Sequence, residues 1–487
     1  CPLLIVIITT KRGNFMSEES VIKENKMGTM PINKLLISMS LPMMISMLVQ
    51  ALYNVVDSIF VSQISENALT AVSLAFPVQN FMIAVGVGTG VGINALLSRS
   101  LGEKKFEQAN RVANNGVFLA VLSYIAFLIL GIIFSRRFFQ WQTDIKDIVD
   151  GGYSYLIIVT TCSFGMYGQI VFEKLMQSTG KTIFSMTTQL TGAIVNIVLD
   201  PILIFGLFGF PKLGISGAAI ATVIGQICGM GLAIYLNTTK NKEIKVEVKN
   251  FRPSLRTIKE IYAVGIPSII MASIGSVMTF GLNKILLVFS STATAVFGVY
   301  FKLQSFIFMP VFGINNGMVP IIAYNYGARN KDRLMKTVKI SIMYGISIML
   351  IGLVIFQVFP KELLSLFNAS DKMISIGVPA LRTISISFLF AGYCIVVSSM
   401  FQALGNGVMS MIVSLVRQLI VLLPVAYLLS KSGNLNMVWW AYPIAEIASV
   451  CLSVIGFKYV YKKEVLPLEK KDKINHNVKM TEFSTES

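Results

Sequence analysis

The chain has 487 residues, of which 54% are hydrophobic and 13% charged, about half the charged share of a soluble domain, and its mean hydropathy is +0.71. This composition excludes a soluble protein and marks an integral membrane one. The net charge of +17 does not point to nucleic acid, because the basic residues cluster in alternate connections between apolar segments, the pattern of cytoplasmic loops.

The first residues, Cys1–Phe15, begin on Cys rather than Met. Their apolar stretch is too short to span a bilayer, and no small-residue cleavage site follows it. They read as upstream sequence, with translation starting at Met16 or Met27, inside a polar N-terminal tail of residues 1–35. About 12 apolar segments follow, at 36–62, 68–98, 113–139, 152–176, 182–208, 214–237, 258–289, 292–323, 338–360, 375–403, 407–430 and 436–461. Each is long enough to cross a hydrocarbon core of about 30 Å. They are continuously apolar rather than alternating, which argues against a membrane β-barrel. A charged linker at 239–257 separates a lobe of residues 36–238 from one of 258–461, and a polar tail covers 462–487.

The two lobes are copies of one unit. Pro42 recurs as Pro267, an offset of 225 (267 − 42). At the same offset Phe76, Gln79 and Phe81 meet Phe301, Gln304 and Phe306, and Gly88, Gly92 and Gly102 meet Gly313, Gly317 and Gly327. Gln177, Gly180 and Ser185 meet Gln402, Gly405 and Ser410. A fused pair of apolar repeats is the plan of a transporter. The glycines spaced four apart let helices approach closely, and would also let them bend or slide. Ser178-Thr179-Gly180-Lys181-Thr182 resembles the end of a phosphate-binding loop. Leu175 stands where its first Gly belongs, however, and no strand precedes it, so the element reads as a turn.

Basic residues gather after segment 2 (Lys104, Lys105, Arg111), in the linker (Lys240 to Lys259), after segment 8 (Arg329 to Lys339) and beyond segment 12 (Lys462, Lys463). This places both termini in the cytoplasm. Each half then crosses an even number of times, so the halves share one orientation about a pseudo-twofold axis along the membrane normal. Cys162, Cys228, Cys394 and Cys451 lie inside apolar segments and read as core packing, with no disulfide or metal site.

Charges inside a bilayer are costly and mark functional candidates. Lobe one offers Asp57 and Asp200, each in the outer half of its segment, with Asn196 one helical turn before Asp200. Two carboxylates in one desolvated pocket suit a proton site; with Asn196 and backbone carbonyls freed by Pro201 they equally suit Na⁺. Lobe two does not copy them: the corresponding residues are Leu282, Val421 and Val425. It carries Lys284, Lys302, Arg417 and Glu446 instead, and Arg417 with Glu446 reads as a structural ion pair. Tyr53, Asn54 and Gln79 in lobe one, and Asn283, Lys284, Lys302 and Gln304 in lobe two, are the candidates for a substrate cavity. The one histidine, His476, is in the tail, which excludes a histidine relay within the spans.

The runs Leu41-Pro42, Leu52-Tyr53-Asn54-Val55-Val56-Asp57 and Asn196-Ile197-Val198-Leu199-Asp200-Pro201, with Gly265-Ile266-Pro267 and Pro320-Ile321-Ile322-Ala323-Tyr324-Asn325-Tyr326-Gly327, resemble multidrug and toxic compound extrusion (MATE) transporters. The resemblance covers residues 33–461. It implies an all-α membrane protein of two six-helix lobes in a V around a central cavity. It also implies export of amphipathic, cationic compounds in exchange for H⁺ or Na⁺, with Asp57, Asn196 and Asp200 as the ion-coupling site and no further cofactor. Other members add a Glu and an Asp in lobe two, on segments that here lack them. The partners are then a small-molecule substrate and membrane lipid, with no nucleic acid, acting as a monomer in a bacterial plasma membrane. A flippase for lipid-linked saccharides, from the same broad superfamily, is the alternative, and Lys284 with Lys302 would serve its pyrophosphate. An enzyme is disfavoured, because no convergent nucleophile–base set lies within the spans.

Overall fold

The computed structural model describes residues 25–247, 251–367 and 369–468. Cys1–Phe15, Met16 and His476 lie outside the described residues. Among those described there are helices and no strand. Lobe one contains α1 (Ile32–Ser62), α2 (Glu66–Gly102), α3 (Phe106–Gln140), α4 (Lys146–Thr161), α5 (Phe164–Ser178), α6 (Thr182–Phe205) and α7 (Ile215–Lys240). Lobe two repeats the order with α8 (Leu255–Leu287), α9 (Ser291–Gly327), α10 (Lys331–Val358), α11 (Asp371–Ser385), α12 (Phe388–Ala403), α13 (Gly407–Ser430) and α14 (Ala441–Val460). Among the described residues ten helices are long and apolar enough to cross a membrane; counting the bent pairs α4–α5 and α11–α12 as one span each gives 12.

The sequence reads the fourth and tenth segments as unbroken. The structure breaks both, by 45° at Cys162 and Ser163 and by 49° at Ile386 and Ser387. The bends stand at matching places in the two repeats, and hydropathy does not register a bend that leaves both halves apolar.

Local chemistry repeats with the same fidelity. Ser65 and Ser290 cap α2 and α9, each accepting a hydrogen bond from the amide three residues on, which satisfies one of the donors a helix start leaves unpaired. The stretch resembling a phosphate-binding loop is the C-terminal turn of α5: Gly180 has φ 84° and its repeat partner Gly405 has φ 87°. In both turns the next amide returns to a carbonyl five residues back, Lys181 to Met176 and Asn406 to Phe401. Only a residue without Cβ takes this left-handed conformation at no cost.

The lobes meet on glycines. A Cβ on Gly88 would stand 2.9 Å from the Gly265 carbonyl of α8, and one on Gly92 would overlap the Ile261 carbonyl. In the mirrored contact, Gly313 of α9 presses on Met44 of α1, and Gly317 on Ser40. Where α2 and α9 cross, Gly102 abuts the Tyr324 carbonyl and Gly327 abuts the Arg99 carbonyl. Tyr324 is the repeat partner of Arg99, so this crossing marks the pseudo-twofold axis. In lipid there is little hydrophobic gain from joining helices; close backbone packing supplies the attraction, and it needs small residues. All six glycines lie in the halves of α2 and α9 that run to the basic connections. The buried core follows the same plan. One cluster runs through lobe one and across this seam, including Leu36, Ile93, Ile261 and Met318. A second, rich in aromatics such as Phe297, Tyr300, Phe356 and Phe388, fills the other half of lobe two.

Candidate functional site

Near the ends of α1 and α6 away from the basic connections, side chains from three helices converge. Asp57 sits five residues before the end of α1 and Asp200 five before the end of α6. Each carboxyl has one buried oxygen with no hydrogen-bond partner in the protein, Oδ1 of Asp57 and Oδ2 of Asp200. Carboxylates only accept, so oxygens left this way lack a proton or a cation. Asn196, one turn below Asp200, donates from Nδ2 to Asp200 Oδ1 at 3.3 Å and to Thr222 Oγ1 of α7 at 3.3 Å. Asp200 is 0% exposed and Asn196 2%. Tyr53 stands one turn before Asp57 on α1 and is half-buried. Beside them Gln79 of α2 donates to the Tyr155 hydroxyl of α4 at 3.0 Å.

The pocket is short of donors. Asp57 Oδ1, Asn196 Oδ1 and Asp200 Oδ2 are buried oxygens with no hydrogen-bond partner in the protein. An orphaned buried acceptor costs about 1–3 kcal/mol, more when it is charged. Two of the three belong to carboxylates and the third to the amide that bonds Asp200, a set whose missing donor a proton or small cation would supply. The residues therefore fit H⁺ or Na⁺, the two ions considered from the sequence.

The approach of α6 to α7 makes this grouping possible. Gly192 and Gly225 face each other's carbonyls, and a Cβ on Gly225 would stand 3.2 Å from Asn196 Cβ. Small residues below the site thus bring Thr222 and Asn196 together.

The other candidates are more dispersed. Asn54 is exposed. Asn283 and Gln304 are half-buried, each with an unpartnered side-chain oxygen. Lys284 is exposed, with Nζ 5.0 Å from the Phe280 ring, and Lys302 is exposed, 5.9 Å from the Phe367 ring. Arg417 Nη1 lies 3.4 Å from Glu446 Oε1, with the glutamate 6% exposed. Arg417 stands in a π-helical turn, Val416–Leu422, just ahead of Pro424. Proline lacks the amide that an α-helical turn requires and crowds the preceding carbonyls, and a widened turn accommodates this.

The sequence reading named only Asp57 and Asp200 as charges inside lobe one. The structure adds Glu173 and Lys174, adjacent on α5 within the fourth apolar segment. Glu173 is satisfied by Gln169, Thr188 and Gln189 at 2.9, 2.9 and 2.7 Å. Lys174 donates to Gln177 at 2.9 Å and, across the seam, to Asn316 of α9 at 2.8 Å. Counting every charge inside a predicted span would have found them. Thr222 and Tyr155 carried no such signal, because hydroxyls are ordinary in membrane helices.

The MatE family model matches residues 42–202 and again 267–428, once in each lobe. The multidrug export protein MepA of Staphylococcus haemolyticus (strain JCSC1435) is 28% identical over 425 residues, covering 87% of this chain and 92% of its own. The probable multidrug resistance protein YoeA of Bacillus subtilis (strain 168) is 27% identical over 438 residues, covering 88% and 94%. A solved structure described as the outward-facing conformation of a multidrug resistance MATE family transporter of the MOP superfamily superposes with a TM-score of 0.86 at 26% identity. It covers 93% of this chain and 100% of that one. With the doubled family match, the two lobes and the shared fold in place, the chain belongs to the MatE family and is a MATE-type efflux transporter.

Proposed function

We propose that this protein exports amphipathic drugs or metabolites in exchange for H⁺ or Na⁺, with Asp57, Asn196 and Asp200 as the ion-binding group. The observation that carries this reading is the trio of partnerless oxygens in lobe one near the ends of α1 and α6. In this account the ion supplies the charge the pocket lacks, and its arrival and departure shift the balance between two arrangements of the lobes. Such a shift is limited to the difference in the ion's affinity for the two arrangements. The basic connections mark the cytoplasmic side, with both termini there, and the glycine seam closes the lobes on that side. The protein works as a monomer in a bacterial plasma membrane, with the lobes divided at the linker of residues 239–257. No cofactor other than the coupling ion takes part.

The test is dye accumulation in efflux-deficient cells expressing wild type or Asp200→Asn at matched levels, with and without an uncoupler. Wild type should lower ethidium accumulation, and both the substitution and the uncoupler should abolish that effect. Equal export by wild type and Asp200→Asn would remove Asp200 from the coupling site.

A further inference from the structure

The two helices that form the seam carry a continuous face from closed to open. On α2 the exposed residues Thr70, Ser73, Pro77 and Phe81 recur every three or four positions, so they lie along one side of the helix. Eleven residues beyond Pro77 and Phe81 that side reaches Gly88 and Gly92, which are buried against α8. On α9 the matching residues Ala295, Gly298, Lys302 and Phe306 are exposed on the side that continues to Gly313 and Gly317, buried against α1. One face of each helix is thus sealed against the other lobe at the basic end and open above it. Above the glycines α2 keeps one contact with lobe two, Asn80 Nδ2 donating to Ser276 Oγ at 3.2 Å, and Phe81 rests edge-on against Phe127 of α3 at 5.9 Å; the exposed residues beside them stand where the lobes part.

The repeat holds along these faces except in charge. Phe81 and Phe306 match, and they are 50% and 39% exposed. Pro77, in contrast, is matched by Lys302. Pro77 stands two residues from Gln79, which bonds to Tyr155 beside the Asp57 pocket. With an axis along the membrane normal, repeat partners share one depth. Lys302 therefore stands on lobe two at the depth of the Gln79–Tyr155 contact in lobe one. Among the described residues no carboxylate lies within ion-pair distance of it, and its charged contact is the Phe367 ring at 5.9 Å. Lys284 is placed differently. It continues the exposed apolar stripe Ile266, Ile270 and Val277 three residues before the end of α8, the position of a lysine that runs along lipid to the interface.

We propose that Lys302 anchors an anionic group, carboxylate or phosphate, of the transported molecule, and that Phe81 and Phe306 flank its apolar body. An exposed ammonium with no carboxylate beside it is a point donor for such a group. The preferred cargo is then an amphipath with an anionic end, a zwitterion when its other end is drawn to lobe one. This inference rests on the export reading above for the direction of transport; the anion site itself stands on the geometry of α9.

The experiment measures binding to the purified full-length protein by fluorescence anisotropy. It uses one xanthene dye in two forms, the free acid (a zwitterion) and its methyl ester (a cation), with a long-chain prenyl phosphate as competitor. Lys302→Gln should weaken the acid by about tenfold and leave the ester within about twofold, while Lys302→Arg keeps the acid close to wild type. A Lys302→Gln variant that changes both dyes alike, or neither, overturns the proposal. If the acid binds and prenyl phosphate does not displace it, the anion belongs to a free organic acid; displacement that Lys302→Gln removes assigns it to a lipid-borne phosphate. If wild type binds neither dye, binding of a fluorescently labelled prenyl phosphate that depends on Lys302 keeps the anion site and overturns the drug-export reading. If wild type binds none of the three in a way that depends on Lys302, the anion site falls. Asp200→Asn in the same assay should preserve the preference set by Lys302, so failure of the ion-coupling reading appears separately.

Discussion

The helix pairs α6–α7 and α13–α14 occupy matching places in the two lobes and solve the problem of burial in opposite ways. In lobe one, Gly192 and Gly225 let the helices touch through their backbones, and Asn196, Asp200 and Thr222 gather above with Asp57. In lobe two, 225 residues later, Gly192 becomes Arg417, Gly225 becomes Val450, and Asn196, Asp200 and Thr222 become Val421, Val425 and Ile447. Asp57 becomes Leu282, which is 1% exposed. Space left by small residues in lobe one is filled in lobe two by aromatics: Ala75 is matched by Tyr300 and Gly217 by Tyr442, whose rings lie 5.9 Å apart. The one charged pair there neutralises itself. Lobe one is left short of a cation and lobe two is not. The comparison teaches that a duplicated fold can keep its seam symmetric, because both halves must close on it, while its interior diverges.

The sharpest way to break this comparison is to unbalance the lobe-two pair. Glu446→Ala leaves a half-buried guanidinium without its partner and should cost at most about 3 kcal/mol, whereas Arg417→Met with Glu446→Met should return close to wild type. Thermal melting of wild type and these two variants measures it, and an unharmed Glu446→Ala variant would mean the pair carries no structural charge. Gly92→Leu should come next. It forces a side chain into the Ile261 carbonyl at the seam, and overpacking of this kind costs about 1–3 kcal/mol; Gly317→Leu, at the matching position, should melt at a similarly lowered temperature. A difference between them larger than the error of the melts would break the symmetry of the seam. Tyr155→Phe should cost about 1 kcal/mol, because Gln79 loses its acceptor in the interior. The smallest effect on stability belongs to Asp200→Asn, within about 1 kcal/mol of wild type, because an amide oxygen can accept the one bond the carboxylate receives, from Asn196, and its other oxygen already lacks a partner. A large loss of stability there would class Asp200 with Glu446 as a structural residue.

Much of the fold was legible in the chain. Hydropathy located every span because a membrane helix must be apolar over about 20 residues, and the 225-residue register exposed the repeat because the seam glycines tolerate no substitute. The bends at Ser163 and Ser387 were hidden, since an apolar helix and an apolar break read alike. Asp57 and Asp200 were conspicuous as charges in apolar surroundings. Thr222, Tyr155 and the Gly192–Gly225 contact depend on which helix faces which, and that is settled by packing rather than by any single segment. Glu173 and Lys174 were in plain view as charges within a span, and the structure shows why they are tolerated there: each has hydrogen-bond partners. The difference between Lys284 and Lys302 emerged only when the exposed stripes of α8 and α9 were traced to the seam.

The central claim, that the coupling ion binds in lobe one and not in lobe two, is tested most directly by ion movement during transport. In proteoliposomes loaded with a pH-sensitive dye, or with radioactive Na⁺, export of a fluorescent substrate by wild type should move one of the two ions in the opposite direction. Asp57→Asn and Asp200→Asn should lose that movement, and the Arg417→Met/Glu446→Met protein should keep it. Ion movement that survives in both lobe-one variants, or that disappears only when the lobe-two pair is removed, would contradict the account.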